Sequence, residues 1–447
     1  MAKLLLPLAL VASCTASVLP RNPAADVVAK KNWVSLPITY RERSVPLQKR
    51  DQDVPLFNVT SISYLVELSI GTPGQSVKVA IDTGSDELWV NPDCTSAGLT
   101  ASQVRECNSD GQYVPDDSST VEVLSDTNQI RYGKGTVNLQ YVTDNIALPQ
   151  STINITSAQF GVATASEDLN EGILGLGFGK GLNLNYNNFI DELAIEKQTN
   201  SRAFSVALGS VTANNGGVLI FGGVDTKKFT GPLISNPILG PQGGEQLNRY
   251  WIQLDSVALS KSGSSSKQYS GSSMPIVLDS GSSLSYLPSS LVAAMAADFQ
   301  GDYDSSSGLY QVPCSQAKAS GSVDFTFGQA TIKVPFNEFV WQYNSQLCIL
   351  GAVPVVTDSS SDSATTVLLG DTFMRSAFVV FDQTTETISM AQYVNCGENE
   401  QAIPATGAGN FTGECDSGSA NTNAGGRATF SMAGLAVAVV AGLAVAL

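Results

Sequence analysis

The sequence predicts an all-β body made of two related lobes with a cleft between them, and three observations carry that expectation. Ile81-Asp82-Thr83-Gly84-Ser85 and Leu278-Asp279-Ser280-Gly281-Ser282 are near copies, each an apolar run ending in Asp, a small hydroxyl residue and Gly. A second echo follows each copy: Gly175 of Ile173-Leu174-Gly175 lies 93 residues after Asp82, and Gly370 of Leu368-Leu369-Gly370 lies 91 residues after Asp279. Short β-type runs such as 77–81, 218–223 and 377–381 recur along the chain, against only two short helical patterns at 189–196 and 290–299.

The repetition places Asp82 and Asp279 in equivalent surroundings where the halves meet. A carboxylate at the end of a buried apolar strand is costly unless hydrogen bonds or a shared proton relieve it. Two that face each other about 3 Å apart cannot both ionise, so the pair holds one proton across the acid range. Such a pair acts as base and acid together: the ionised member takes a proton from a water, the protonated member donates to a carbonyl oxygen, and the water adds to the carbon. That chemistry is amide hydrolysis without a covalent intermediate. For either motif alone an ordinary Asp-Gly turn would be the better reading; two copies with matched partners argue against it.

The chain resembles the pepsin-type aspartic endopeptidases. The likeness runs from Tyr64, in the strand 64–73, through Asp82-Thr83-Gly84-Ser85-Asp86-Glu87-Leu88-Trp89-Val90 and Glu171-Gly172-Ile173-Leu174-Gly175, to Leu369-Gly370-Asp371-Thr372-Phe373-Met374-Arg375 and Val380-Phe381-Asp382. It implies the bilobal acid-protease fold, peptide and protein substrates, and Asp82 and Asp279 as the catalytic pair. It further implies that Thr83 and Ser280 lock the two loops together, that Gly84 and Gly281 let backbone N–H groups reach the carboxylates, and that Ser85 and Ser282 bond their outer oxygens. Tyr132-Gly133-Lys134-Gly135 resembles the tip of the family's substrate-covering hairpin, with Tyr132 paired to Trp89. Lys134 departs from the acidic or small hydroxyl residue common there. Asp86 and Glu87 replace the commoner Ser/Asp or Ser/Asn pair.

Composition adds exclusions. The chain has no histidine, which removes Ser-His-Asp and Cys-His mechanisms and every His-ligated metal site; no metal and no cofactor are expected. Net charge is −16, with eight Lys/Arg against two Asp/Glu in residues 1–50 and 16 against 38 in the remainder. A body this acidic repels nucleic acid and suits a pH near or below roughly 5.

Lys3 followed by the apolar run 4–12 and small residues to Ser17 has the form of a signal peptide, residues 1–17. A basic stretch ending in the dibasic Lys49-Arg50 makes residues 18–50 a propeptide. Its Lys30, Lys31, Arg41 and Arg43 are expected either to pair with the aspartates at neutral pH or to belong to a disordered leader. The lobes are assigned to residues 51–230 and 231–396, with the boundary falling between 226 and 240. Ser-rich stretches at 261–273 and 358–366 are expected as surface loops.

Removing Cys14 with the signal leaves six cysteines in an oxidising compartment. By resemblance, Cys94 pairs with Cys107 across a small loop and Cys314 pairs with Cys348, which leaves Cys396 and Cys415 to each other. Asn58, Asn154 and Asn410 begin glycosylation sequons. Residues 397–429 are expected as a polar tail, and the uncharged run 430–447 as a glycosylphosphatidylinositol signal, with Ser419 and Asn423 as attachment candidates; a tail-anchored helix is the alternative. The expected protein, which resembles the fungal, yapsin-like branch of that family, is thus a monomeric secreted or cell-surface protease held at the membrane or cell wall by a lipid anchor. The rivals are a catalytically silent binding or cell-wall protein on the same scaffold, and a two-carboxylate glycosidase, whose carboxyls would stand at least about 5 Å apart.

Overall fold

Two sets of strands repeat the same pairing scheme in the two halves of the chain. The computed structural model describes residues 31–43, 61–95, 99–133, 135–211, 217–343, 346–355 and 366–416. Asn32 opens the compact unit that contains both sets of strands. In the first half, strand Gln75–Asp82 runs parallel to Gly172–Gly175, which pairs antiparallel with Leu88–Val90, itself parallel to Asn154–Glu167. In the second half, Met274–Leu278 runs parallel to Leu368–Leu369, which pairs antiparallel with Ser285–Pro288, itself parallel to Ala352–Val355. The echo in the sequence is therefore an echo in space, Asp82 lying opposite Gly175 and Leu278 opposite Leu369.

Local sequence explains these elements. Val77, Val79 and Ile81 alternate inward on Gln75–Asp82, and Gly172–Gly175 is buried along its whole length, as a short apolar strand flanked on both sides should be. The helix Phe189–Ile195 starts where Asn188 caps it and Asp191 returns the bond, a reciprocal capping box. Ser289–Asp298 forms the second helix at the expected place.

A seven-stranded sheet joins the halves. Its order is Val34–Pro37, Val218–Phe221, Ala203–Ala207, Ala377–Asp382, Thr387–Tyr393, Phe229–Pro237 and Thr412–Glu414. Beneath it Phe204 stacks on Phe381 with centroids 5.0 Å apart, and Tyr250 packs on the same ring at 4.5 Å. Aromatic pairs at such spacings add to the stabilisation that burial alone provides.

The structure departs from the sequence expectation in three places. The ordered body continues past 396 to Asp416 through strands Glu400–Ala402 and Thr412–Glu414, so any tail begins later. A helix, Ala101–Ser109, occupies the stretch between Cys94 and Cys107 in place of a loop, and a short strand, Lys267–Gln268, interrupts the Ser-rich stretch after 261. Finally, the assigned propeptide contributes two strands, Val34–Pro37 against Val218–Phe221 and Thr39–Arg43 against Ser61–Ile70, with Val34, Leu36 and Ile38 buried.

All three disulfides form: Cys94–Cys107, Cys314–Cys348 and Cys396–Cys415, with Cα separations of 5.6, 5.1 and 5.8 Å. Asn154 and Asn410 are exposed. The signal peptide, Lys30, Lys49-Arg50, Asn58, Lys134, Ser419, Asn423 and the run 430–447 lie outside the described residues. Among the described residues no helix is long and apolar enough to cross a membrane, and no group of side chains is arranged to hold a metal ion.

Candidate active site

The loops that follow strands Gln75–Asp82 and Met274–Leu278 are bonded to each other by a reciprocal set. Thr83 N–H donates to Ser280 Oγ at 3.1 Å and Ser280 N–H to Thr83 Oγ1 at 3.0 Å. Thr83 Oγ1 donates to the Leu278 carbonyl at 2.9 Å, and Ser280 Oγ to the Ile81 carbonyl at 3.1 Å. All four bonds are buried, where each is worth more than in water and costlier to leave unmade.

Within that frame each carboxyl has two local donors. Gly84 N–H and Ser85 Oγ donate to the two oxygens of Asp82 at 2.8 and 2.5 Å. Gly281 N–H and Ser282 Oγ donate to those of Asp279, both at 2.8 Å. The glycines are required by space: a Cβ on Gly84 would stand 2.7 Å from Asp279 Oδ1, and one on Gly281 would collide with Asp82 Oδ1. Asp82 Oδ1 and Asp279 Oδ1 both crowd the space beside Gly281, and the charge of Asp82 acts on Asp279.

Burial, and then the charge of Asp82, push Asp279 up to about 7, against the pull of Ser282 and Gly281. Ser85 Oγ stands closer to Asp82 than Ser282 Oγ does to Asp279, and the two carboxyls titrate as a unit. This is the arrangement that splits one proton between two carboxyls.

Tyr132 and Gly133 sit at the turn between strands Glu122–Arg131 and Thr136–Ala147, where Tyr132 N–H bonds the Gly135 carbonyl. Trp89 Nε1 donates to the Tyr132 hydroxyl at 2.8 Å. Burial first and Asp82 second raise the Tyr132 phenol, so it stays protonated.

The match to known proteins is as broad as the geometry. The family model described as eukaryotic aspartyl protease matches residues 63–393. The chain belongs to the eukaryotic aspartyl proteases. It is 35% identical over 390 residues to the Aspergillus oryzae protein named "Probable aspartic-type endopeptidase opsB", an alignment that spans 83% of this chain and 74% of that one. It is 30% identical over 426 residues to the aspartic proteinase yapsin-3 of Saccharomyces cerevisiae, covering 89% of this chain and 80% of the relative. Among solved structures, the aspartic proteinase from Irpex lacteus superposes with a TM-score of 0.60 at 21% identity, over 81% of this chain and 97% of that one, which bears on fold. The chain is thus a pepsin-like aspartic endopeptidase with the bilobal fold.

Several groups around this aspartyl-protease site take on roles that sequence alone does not assign. Asp86 accepts from Phe178 N–H at 2.7 Å and from Asn183 Nδ2 at 3.0 Å, and burial raises it to about 6. Glu87 is buried and accepts from the hydroxyls of Tyr141 at 2.5 Å and Tyr186 at 2.6 Å. Asp371 is held well above the usual carboxylate range, chiefly by burial, with Arg375 opposing and Asp279 adding to the rise. Arg375 itself is buried in an ion pair with Glu338 at 2.7 Å. Arg41 does not reach the aspartates, one of the two alternatives expected for it; it forms a two-pronged pair with Asp110.

Proposed function

We propose that this endopeptidase hydrolyses peptide bonds at acid pH with Asp82 and Asp279 as its catalytic pair. The observation that carries the reading is the reciprocal Thr83–Ser280 set, which holds two carboxyls in mutual contact, one of them with a raised proton affinity. Ionised Asp82 takes a proton from a water, whose oxygen bonds to the substrate carbonyl carbon while Asp279 gives its proton to the carbonyl oxygen. The resulting tetrahedral diol then returns a proton to the amide nitrogen, the C–N bond breaks, and the pair is left again with one proton. Tyr132 and Gly133 cover the substrate, and Trp89 holds the tyrosine.

The finer parts of the reading rest on sequence. The signal-like 1–17, the dibasic Lys49-Arg50 and the tail from 417 support synthesis as a secreted zymogen that is delivered to the cell surface on a lipid anchor and acts as a monomer.

The test is hydrolysis of a mixed peptide library from pH 3 to 8, with and without pepstatin, by the wild type and by Asp82→Asn and Asp279→Asn. Expected are pepstatin-sensitive cutting at acid pH that declines as pH rises through about 7, where the last proton leaves the pair, and its loss in both variants. A wild type cut after Arg50 that leaves every peptide intact would instead establish a silent scaffold. Release from cells by a phosphatidylinositol-specific phospholipase checks the anchor.

A further inference from the structure

Gly84 presents a mechanical problem. Space beside Asp279 forbids a side chain there, and glycine leaves its backbone torsions the freest of any residue. Yet its ψ angle decides where Ser85 points, and Ser85 Oγ holds the outer oxygen of Asp82. Something must restrain the Gly84 carbonyl.

We propose that Arg249 is a positioning residue that fastens the first catalytic loop by its carbonyl and ties it to the strand behind the second aspartate. The role rests on Asp82 and Asp279 acting as the catalytic pair. Arg249 Nη1 donates to the Gly84 carbonyl at 3.0 Å, and Arg249 Nε donates to Glu245 Oε2 at 2.5 Å. The other oxygen of Glu245 accepts from the Thr366 hydroxyl. Thr366 leads directly into the segment 367–369, whose Val367 and Leu369 carbonyls accept from Val277 N–H at 3.2 Å and Asp279 N–H at 3.0 Å. The path Gly84, Arg249, Glu245, Thr366, Leu369, Asp279 therefore closes a second ring around the dyad, outside the Thr83–Ser280 set.

The segment that carries Arg249 is itself pinned to the same loop. Asn248 N–H donates to Asn183 Oδ1 at 2.9 Å, Asn183 Nδ2 donates back to the Asn248 carbonyl at 2.8 Å, and the same Nδ2 reaches Asp86 Oδ2 at 3.0 Å. Asp86 attracts the Arg249 guanidinium in turn. A planar fork suits this work because its donors are set at fixed angles; an ammonium on a flexible stem supplies charge without that geometry. The Arg249 and Glu245 side chains are 26% and 25% exposed, so the pair is not a free surface ion pair of negligible worth.

The test measures kcat and KM for one cleaved peptide with Arg249→Met, Arg249→Lys, Glu245→Gln and the Arg249→Met/Glu245→Gln double variant, in the full processed chain. Loss of a charge-assisted bond to the loop should cut kcat about ten- to hundredfold in Arg249→Met with KM within about threefold. Arg249→Lys should recover only part of it, Glu245→Gln should show a smaller fall, and the double variant should be no worse than Arg249→Met. An unchanged kcat, a loss confined to KM, or additive losses would each overturn the proposal. Should Arg249→Met fail to fold, Arg249→Lys and Glu245→Gln decide on the same criteria. A wild type without pepstatin-sensitive cutting would sink the dyad reading itself, a different result from active wild type with indifferent Arg249 variants.

Discussion

Ser85 Oγ donates to the outer oxygen of Asp82 at 2.5 Å, while its counterpart Ser282 reaches Asp279 at 2.8 Å. Tyr132, which Trp89 holds, lies near enough to Asp82 for that carboxyl's charge to raise its phenol. The two serines are unequal. Hydrogen bonds to a charged group contribute about 1.5–3 kcal/mol, so Ser85→Ala should lower kcat about ten- to hundredfold. Ser282→Ala should cost less, because its bond weakens a proton affinity that the mechanism needs high. Steady-state kinetics on one peptide checks the order, and equal losses would refute the asymmetry.

Thr83→Val keeps the shape of the side chain and removes its hydroxyl. Ser280 N–H and the Leu278 carbonyl then lose their partner in a buried setting. Leaving buried groups unmade costs about 1–3 kcal/mol each, so the variant should be destabilised by roughly 2–6 kcal/mol, and its activity should fall beyond the loss of folded protein. Urea unfolding beside active-site titration with pepstatin separates the two effects; wild-type activity at reduced stability would show that the bonds hold the fold and not the carboxyls.

The disulfides should differ in worth. Cys314–Cys348 spans 34 residues and Cys94–Cys107 spans 13. Loop-closure entropy puts the longer one at about 4 kcal/mol and the shorter at about 3 kcal/mol. Paired Cys→Ser replacement should therefore lower the unfolding midpoint more at 314/348 than at 94/107, measured in one buffer by thermal unfolding. The reverse order would point to native-state geometry as the larger factor.

The two aspartate loops are legible in the sequence because their bonding is written in contiguous residues: Asp, a hydroxyl and Gly must be neighbours for one turn to serve one carboxylate. The spacing to Gly175 and Gly370 exposes the parallel partners as well. Other features are written but masked by stronger local signals. Thr100 and Gln103 form a capping box that announces the helix Ala101–Ser109, yet the flanking cysteines point toward a loop. Val34, Leu36 and Ile38 alternate as a strand should, but the basic composition around them suggests a leader. What no local pattern holds is the joining sheet, which draws strands from the start, middle and end of the chain, or the reach of Arg249 to a carbonyl 165 residues away. Those depend on how two lobes pack, and packing is not periodic.

Stability should fall as pH rises from about 4 to 8, the opposite of an ordinary acid-labile protein. Asp86 is raised to about 6 and Asp279 to about 7, both chiefly by burial, and Asp371 is raised as well. The unfolded chain releases these protons near pH 3.9. A carboxyl whose folded pKa is raised contributes stability that is complete below the unfolded value and is lost as pH climbs through the folded one. For Asp86, two pKa units correspond to about 3 kcal/mol, reduced to about 2 by its partial exposure. Asp144 and Glu414 are shifted downward by their hydrogen bonds, so what they contribute is lost only when pH falls through their lowered pKa values. The midpoint of urea unfolding should therefore peak near pH 4–5 and decline toward pH 8. Asp86→Asn should flatten part of that decline while changing little at pH 4. A wild-type midpoint that rises between pH 4 and 8, or an Asp86→Asn curve parallel to the wild type, would show that the buried carboxyls do not govern the pH response.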